Sequence, residues 1–207
     1  FSISEVENIL KKQKLVWSFW NCSDKRDSVY QNYYLLFKRI FGKTILFDPR
    51  KERLKHETNK VEEIFLSMIE KEKPDYVFTN VRRDEQTIET MIKVKKISPT
   101  TKTIMFSGDD DLEFEPLKRY QALFVDCTLV AQFEYIKNYY NEGIKNIYPI
   151  IPLDEESNKP LKLKKIYDIT LIGKPNKYRV EDLRFLAKKK LNFKIFGRGW
   201  ENYPDLM

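Results

Sequence analysis

The sequence predicts an α/β protein with a mostly parallel sheet and helices on both faces. Short apolar segments alternate along the chain with helical segments of about 10–15 residues. The strand segments are continuous apolar runs, which is typical of strands buried on both faces. The 207 residues are 42% hydrophobic and 14% aromatic, which suffices for a sizeable core.

The first three quarters of the chain contain six predicted strands. A short helix at 4–12 precedes them, with Ile3, Val6 and Ile9 on one face and Ser4 as its N-cap. The predicted strands are 14–20, 43–48, 75–81, 101–107, 122–131 and 146–151. The predicted crossover helices are 29–41, 57–73, 84–98 and 133–143. This alternation predicts a Rossmann-like domain over residues 1–151.

Residues 152–166 interrupt the alternation. They include Pro152 and Pro160 and have no apolar periodicity, so we expect an interdomain linker. The alternation then resumes with a strand at 167–173, a helix at about 179–190 and a strand at 191–197. Residues 167–207 are therefore predicted to be the start of a second Rossmann-like domain.

Composition limits the partners. The 38 Lys and Arg residues outnumber the 31 Asp and Glu residues, giving a net charge of +7. This charge favours nucleotides, phosphorylated substrates, nucleic acid or acidic lipid, although a solvated lysine-rich surface explains it equally well. Cys22, Cys127 and His56 are too few for a Cys/His zinc cluster, and the low cysteine content fits a reducing cytoplasm. No apolar run approaches the ~18 residues of a membrane span, while peripheral membrane contact stays open.

Two glycine turns follow neighbouring strands of the predicted second domain. Gly173 ends the first strand and is followed by Lys174, Lys177 and Arg179 near a helix start. The next strand ends in Gly197-Arg198-Gly199. A helix start attracts anions through its amides and its dipole, and ligands of open α/β sheets lie at the carboxyl ends of the strands. Each turn alone is an ordinary βα turn, but the pair predicts an anion site.

An acidic cluster follows the predicted fourth strand. Asp109, Asp110 and Asp111 open a stretch in which five of seven residues are acidic. Pro116 suits the first position of a short helix, which places the acids on a loop. Three interpretations stay open: a solvated capping loop, a general base with a pKa raised by its neighbours, and an Asp109-x-Asp111 site for Mg²⁺ or Mn²⁺.

Three further segments carry weaker signals. Asn21, Ser23 and Asp24 follow the first strand and are candidates for binding acceptor hydroxyls, or form an ordinary polar loop. The basic run 187–194 is interpreted as a solvated helix face. Asn80 ends the third strand where a chemotaxis-type receiver domain needs an aspartate, so that class is disfavoured.

Residues 167–200, YDITLIGKPNKYRVEDLRFLAKKKLNFKIFGRGW, resemble the opening of the second domain of GT-B glycosyltransferases, especially the spore-maturation (CgeB-type) glycosyltransferase family. PDYVFTN and KTIMFSGDDD in the first half are similar to that family's first domain. The resemblance implies a nucleotide-sugar donor on the second domain and an acceptor on the first. It also implies that Gly173, Lys174 and Arg179 contact the diphosphate, while Gly197 and Gly199 let the nucleotide approach the backbone.

The resulting expectation is a GT-B enzyme that transfers a sugar from a UDP- or GDP-sugar to a hydroxyl of a glycan, protein or small molecule. Lys and Arg would neutralise the leaving diphosphate, so no metal or other cofactor is expected. The family pattern continues with further βα units, so the chain is expected to be a fragment that need not be active alone.

Two alternatives stay open. One is a non-catalytic protein of this fold that binds a nucleotide or glycan. Another is a GT-A-like metal-dependent enzyme that uses Asp109 and Asp111. A nucleic-acid binder is disfavoured because the chain has no RRM, KH or zinc motif.

Overall fold

The computed structural model describes residues 2–19, 22–25, 30–80, 86–150, 159–189 and 191–206. The chain divides into two compact units, Phe1–Lys159 and Pro160–Met207. The division falls within the segment predicted as a linker, of which residues 152–158 lie outside the described ranges. Within those ranges, no helix combines the length and the apolar character that crossing a bilayer requires.

The first unit is a Rossmann-like α/β unit with a six-stranded parallel sheet, as the alternation predicts. Its strands are β1 (Lys14–Ser18), β2 (Lys43–Phe47), β3 (Tyr76–Thr79), β4 (Lys102–Ser107), β5 (Cys127–Val130) and β6 (Ile147–Pro149). Their order in the sheet is β2-β1-β3-β4-β5-β6. The chain crosses from one side of β1 to the other between β2 and β3, so the strand order reverses there. Ligands of open α/β sheets bind beside such a reversal, beyond the carboxyl ends of the strands.

Helices flank this sheet on both faces. They are α1 (Ile3–Leu10), α2 (Leu35–Ile40), α3 (Pro49–Arg53), α4 (Thr58–Glu72), α5 (Ile88–Ile97), α6 (Asp110–Glu113), α7 (Arg119–Ala122) and α8 (Ile136–Asn141). Tyr30–Tyr34 and Phe114–Lys118 are π-helical, and Phe133–Tyr135 is a 3₁₀ turn. Helix α1 is capped by Ser2, and not by Ser4 as predicted, because Ser2 and Glu5 form a reciprocal capping box.

Successive strand residues face opposite sides of the sheet, so two cores form. Val16 and Val77 share one core with Phe65 of α4 and Val94 of α5. On the other face the aromatic residues after β1 cover the sheet, and the rings of Trp17 and Tyr34 stack with centroids 5.8 Å apart. Both faces of β1 and β3 are therefore covered.

The region around β4 and β5 departs from the prediction. The predicted strand 122–131 begins only at Cys127, because Ala122 ends a helix and a turn follows it. Residues along β4 also alternate between buried and less buried positions, unlike a strand covered on both faces. The reason is that the residues after β4 and β5 pack on the face of Met105 and Val130, which leaves Ile104 on the other face half-buried.

The second unit contains β7 (Ile169–Ile172), α9 (Lys177–Ala187) and β8 (Phe193–Phe196), with 3₁₀ turns at Trp200–Asn202 and Pro204–Leu206. The two strands pair in parallel. Helix α9 starts two residues before the predicted position because Asn176 caps it, with Oδ1 accepting the Arg179 amide at 2.9 Å. Val180 and Leu183 of α9 form a small core with Trp200 and Leu206.

Candidate functional site

The two glycine turns of the second unit touch each other at the carboxyl ends of β7 and β8. The Gly173 amide donates to Phe196 O at 2.8 Å, and the indole Nε1 of Trp200 donates to Gly173 O at 2.7 Å. A Cβ on Gly197, which has φ +146°, would lie 2.1 Å from Gly173 O. No side chain fits in that space, so the close approach of the turns requires glycine.

The Arg179 side chain folds back over the first turn. Its Nη1 donates to Lys174 O at 2.8 Å, and a Cβ on Gly173 would lie only 2.9 Å from the same nitrogen. Arg179 is exposed, and a guanidinium has five N–H donors, so the bond to Lys174 O does not use them all. The arrangement places a cation against the start of α9, where the dipole and the first amides also attract anions.

An open cavity of about 400 Å³ adjoins the turns. It is lined by Lys174, Pro175, Arg198, Gly199, Glu201, Asn202 and Tyr203. The Glu201 carboxylate occupies one edge of it, where Oε2 accepts the Gly199 amide at 2.8 Å. A phosphate that used the same amide would have to displace this carboxylate.

The sequence-predicted residues of the second unit, apart from Lys177, therefore lie close together. Lys174, Arg198 and Gly199 share the cavity lining, and Arg179 lies against Gly173. Lys177 is exposed on the first turn of α9. Trp200 and Glu201 were not predicted as site residues, although Trp200 directly follows the second glycine turn.

The three aspartates of the first unit are separated by their surroundings. They do not lie on a loop, as predicted, but start helix α6, whose N-cap is Asp109. Asp109 and Asp111 are exposed, whereas Asp110 is 1% exposed. The Asp111 Oδ1 atom accepts from Gln132 Nε2 at 3.3 Å.

Asp110 is built into the core of the first unit. Its Oδ1 accepts from Ser107 Oγ at 2.6 Å and from Tyr139 OH at 2.7 Å, while its Oδ2 is buried without a hydrogen-bond partner. Burial raises the pKa of Asp110, and the two hydrogen bonds and Lys118 oppose that rise only in part. A protonated carboxyl would suit this position, because Oδ2 would not have to carry buried charge.

Polar side chains also form a hydrogen-bond network at the carboxyl ends of β1 and β3. Gln86 Nε2 donates to Ser18 Oγ at 2.6 Å, and Thr79 Oγ1 donates to Gln86 Oε1. Lys118, which is 1% exposed, donates to Asn80 Oδ1 at 2.9 Å and pairs with Glu113 at 3.4 Å. These contacts hold the segments after the strands in place.

The loop after β1 also has a structural role. Asn21 lies outside the described residues. The Ser23 hydroxyl and amide both donate to Asp48 Oδ2, at 2.7 and 3.1 Å. Asp24 is exposed. Ser23 thus links the ends of β1 and β2, and its hydroxyl proton is already used.

Across the part of the chain that the structure describes, no three His, Cys, Asp or Glu side chains are grouped so that they could hold a metal ion. The fold is that of a Rossmann-like α/β protein with two glycine turns at the carboxyl edge of its second unit. No protein-family model, curated protein or solved structure matches the chain.

Proposed function

We propose that the protein is a GT-B-type glycosyltransferase, which transfers a sugar from a nucleotide-diphosphate donor to a hydroxyl acceptor. The observation that carries this proposal is the pair of touching glycine turns, with the exposed cations Lys174, Arg179 and Arg198 beside them. The resemblance of residues 167–200 to the second domain of GT-B enzymes supports the same class.

The proposed chemistry places the donor diphosphate at the start of α9. An acceptor oxygen attacks the anomeric carbon, the bond from that carbon to the diphosphate oxygen breaks, and the nucleoside diphosphate leaves with the negative charge. Lys174 and Arg179 stabilise that charge as it develops. Electrostatic stabilisation of a developing charge is usually the largest single contribution to catalysis.

The acceptor hydroxyl must also lose its proton. Of the three aspartates predicted for this role, Asp109 and Asp111 are exposed and able to act as a general base, whereas Asp110 is enclosed by Ser107 and Tyr139. We therefore assign Asp110 to the support of α6, and we retain Asp109 and Asp111 as candidates for the base.

A turnover assay tests the proposal. The purified protein is incubated with UDP- and GDP-sugars and a panel of hydroxyl acceptors, and release of UDP or GDP is measured. Transfer that persists in EDTA and falls by ~10²–10⁴-fold in Asp109→Asn or Asp111→Asn supports a GT-B enzyme with that residue as base.

Two results would favour the alternatives. Loss of activity in EDTA with recovery in Mn²⁺ would indicate a GT-A-like metal site at Asp109 and Asp111. Tight UDP or GDP binding without turnover for any donor would indicate a non-catalytic nucleotide-binding protein. The few cysteines favour a reducing, cytoplasmic compartment for either function.

A further inference from the structure

Lysines are concentrated in the two segments that lead into β7 and β8, at the strand ends opposite the glycine turns. Lys162, Lys164 and Lys165 precede β7, and Lys188 and Lys189 precede β8; all five are exposed. Asn192 joins the two segments, because its Nδ2 donates to Ile166 O at 2.7 Å and its amide donates to Asp168 Oδ2 at 2.9 Å. We call residues 161–167 with Lys188, Lys189 and Leu191 the basic amino edge.

Large apolar side chains are interleaved with these lysines. Leu161 and Leu163 are each 74% exposed, Ile166 is 61% exposed and Leu191 is 37% exposed. Single exposed apolar residues are common, but a group of four among lysines forms an amphipathic surface. The basic run 187–194, interpreted from sequence as a helix face, instead begins where α9 ends, at Ala187, and continues into β8.

We propose that the basic amino edge docks the protein onto an anionic lipid bilayer. Lysines near a bilayer surface are attracted by acidic headgroups, and leucine and isoleucine side chains enter the boundary between headgroups and acyl chains. None of the residues that define the basic amino edge is acidic, and the carboxylate of Asp168, which directly follows Tyr167, accepts the Asn192 amide. The charge and the apolar side chains thus both match an acidic membrane surface.

A nucleic acid would match only the charge. Proteins that bind single strands stack bases on aromatic side chains. Tyr167 is the one aromatic residue among those that define the basic amino edge, and the neighbouring exposed ring of Phe185 already has Lys189 Nζ over it, 5.1 Å from its centroid. The exposed leucines would gain nothing from a phosphate backbone. An RNA or DNA partner is therefore an outcome of the test and not the proposal.

Within the second unit, the docking surface and the glycine turns lie at opposite ends of the two strands. Strands of four residues rise about 13 Å, and the turns follow the opposite ends of β7 and β8 from the lysines. The second unit therefore does not have to use the same residues for the membrane and for a nucleotide. The proposal does not depend on glycosyltransferase activity.

Vesicle co-sedimentation of the 207-residue chain tests the proposal. We expect binding to vesicles containing about 30% phosphatidylserine, weaker binding at about 0.5 M salt and little binding to pure phosphatidylcholine. Lys162→Glu/Lys164→Glu/Lys165→Glu should lower the partition coefficient by roughly tenfold or more. Leu161→Ser/Leu163→Ser should lower it by roughly tenfold with no change in net charge.

The matched control is Lys96→Glu/Lys137→Glu/Lys145→Glu, which makes the same change in net charge at exposed lysines of the first unit. It should keep most of the binding. The proposal is overturned if wild type ignores acidic vesicles, if the control loses as much as the edge variant, or if the leucine variant binds vesicles as well as wild type. Preferential binding of RNA that survives the leucine substitutions would assign the surface to nucleic acid instead. Unchanged far-UV circular dichroism confirms that each variant is folded.

Discussion

At residues 109–111 the fold encloses the middle aspartate of an acidic motif, whereas at residues 173–179 every cation stays at the surface. Asp110 Oδ1 accepts hydrogen bonds from Ser107 and Tyr139, and its Oδ2 is buried without a partner. Lys174, Lys177 and Arg179 are all exposed. Both motifs are candidate sites in the sequence, but only the second keeps all its charged residues exposed.

The difference lies in which part of each motif the fold uses. In the second unit the glycines provide the close backbone contact, so the charged side chains are left outside the packing. In the first unit an aspartate itself fills a position in the core beneath α6. In this chain, charged side chains stay available to a ligand where another residue, here a glycine, makes the packing contact.

The largest predicted effect concerns the contact between the turns. Gly197→Ala should destabilise the second unit by about 2–4 kcal/mol, because the new Cβ would overlap Gly173 O and the backbone has φ +146°. Hydrogen exchange of the β7 and β8 amides measures the loss.

Gly143→Ala is the matched control in the first unit. Gly143 also has positive φ, +80°, but nothing lies within 4 Å of its added Cβ. It should cost only about 1 kcal/mol, from the backbone strain alone. Equal effects of the two substitutions would mean that the turns do not need to touch.

The second prediction concerns the pH dependence of stability, which should have opposite signs for two carboxyl groups of the first unit, Asp126 and Asp110. Burial would raise the pKa of Asp126, but hydrogen bonds from Lys95 and Thr103 outweigh it and lower the pKa below its ordinary value of 3.8. The ionised form is thus favoured by folding, and its stabilisation is present above about pH 4 and lost on acidification. Asp126→Asn should cost about 1–3 kcal/mol at neutral pH and less near pH 3.

Asp110→Asn should show the opposite trend. Since burial raises the pKa of Asp110, the folded state holds the proton more tightly, and wild-type stability falls as pH rises from about 4. Removing the group should therefore improve stability relative to wild type as pH increases. Urea unfolding at several pH values measures both variants, and parallel trends would refute the assignment of Asp110 as a buried, protonation-favouring group.

The smallest predicted effect concerns the charge of Glu201 at the cavity of the second unit. Glu201→Gln keeps an acceptor for the Gly199 amide but removes a negative charge from the cavity edge. UDP affinity should rise about two- to fivefold, in line with an exposed charge interaction. The exposed Glu181→Gln on α9 serves as the control, and an equal rise there would attribute the effect to net charge alone.

The order of the strands and of the long helices between them was predictable, because buried parallel strands are apolar runs and the helices have regular spacing. The short helices α3 and α7 were not predicted. The positions of Gly173 and Gly197 at strand ends were predictable from the same apolar runs. The burial of Asp110 was not, since it depends on Tyr139, which lies 29 residues further along the chain. The late start of β5 depends equally on the turn after Ala122, which periodicity does not reveal.

We propose that Arg179 and the glycine turns bind the diphosphate of a nucleotide. Calorimetric titration of the protein with UDP and GDP, compared between Arg179→Ala and Arg184→Ala, tests it most directly. Arg184 lies on the same helix and pairs with Asp205 at 2.8 Å, so it controls for the lost charge. We predict that Arg179→Ala weakens binding by about 1–3 kcal/mol and that Arg184→Ala leaves it nearly unchanged. Equal affinity in Arg179→Ala and wild type, or no binding of either nucleotide by wild type, would contradict the claim.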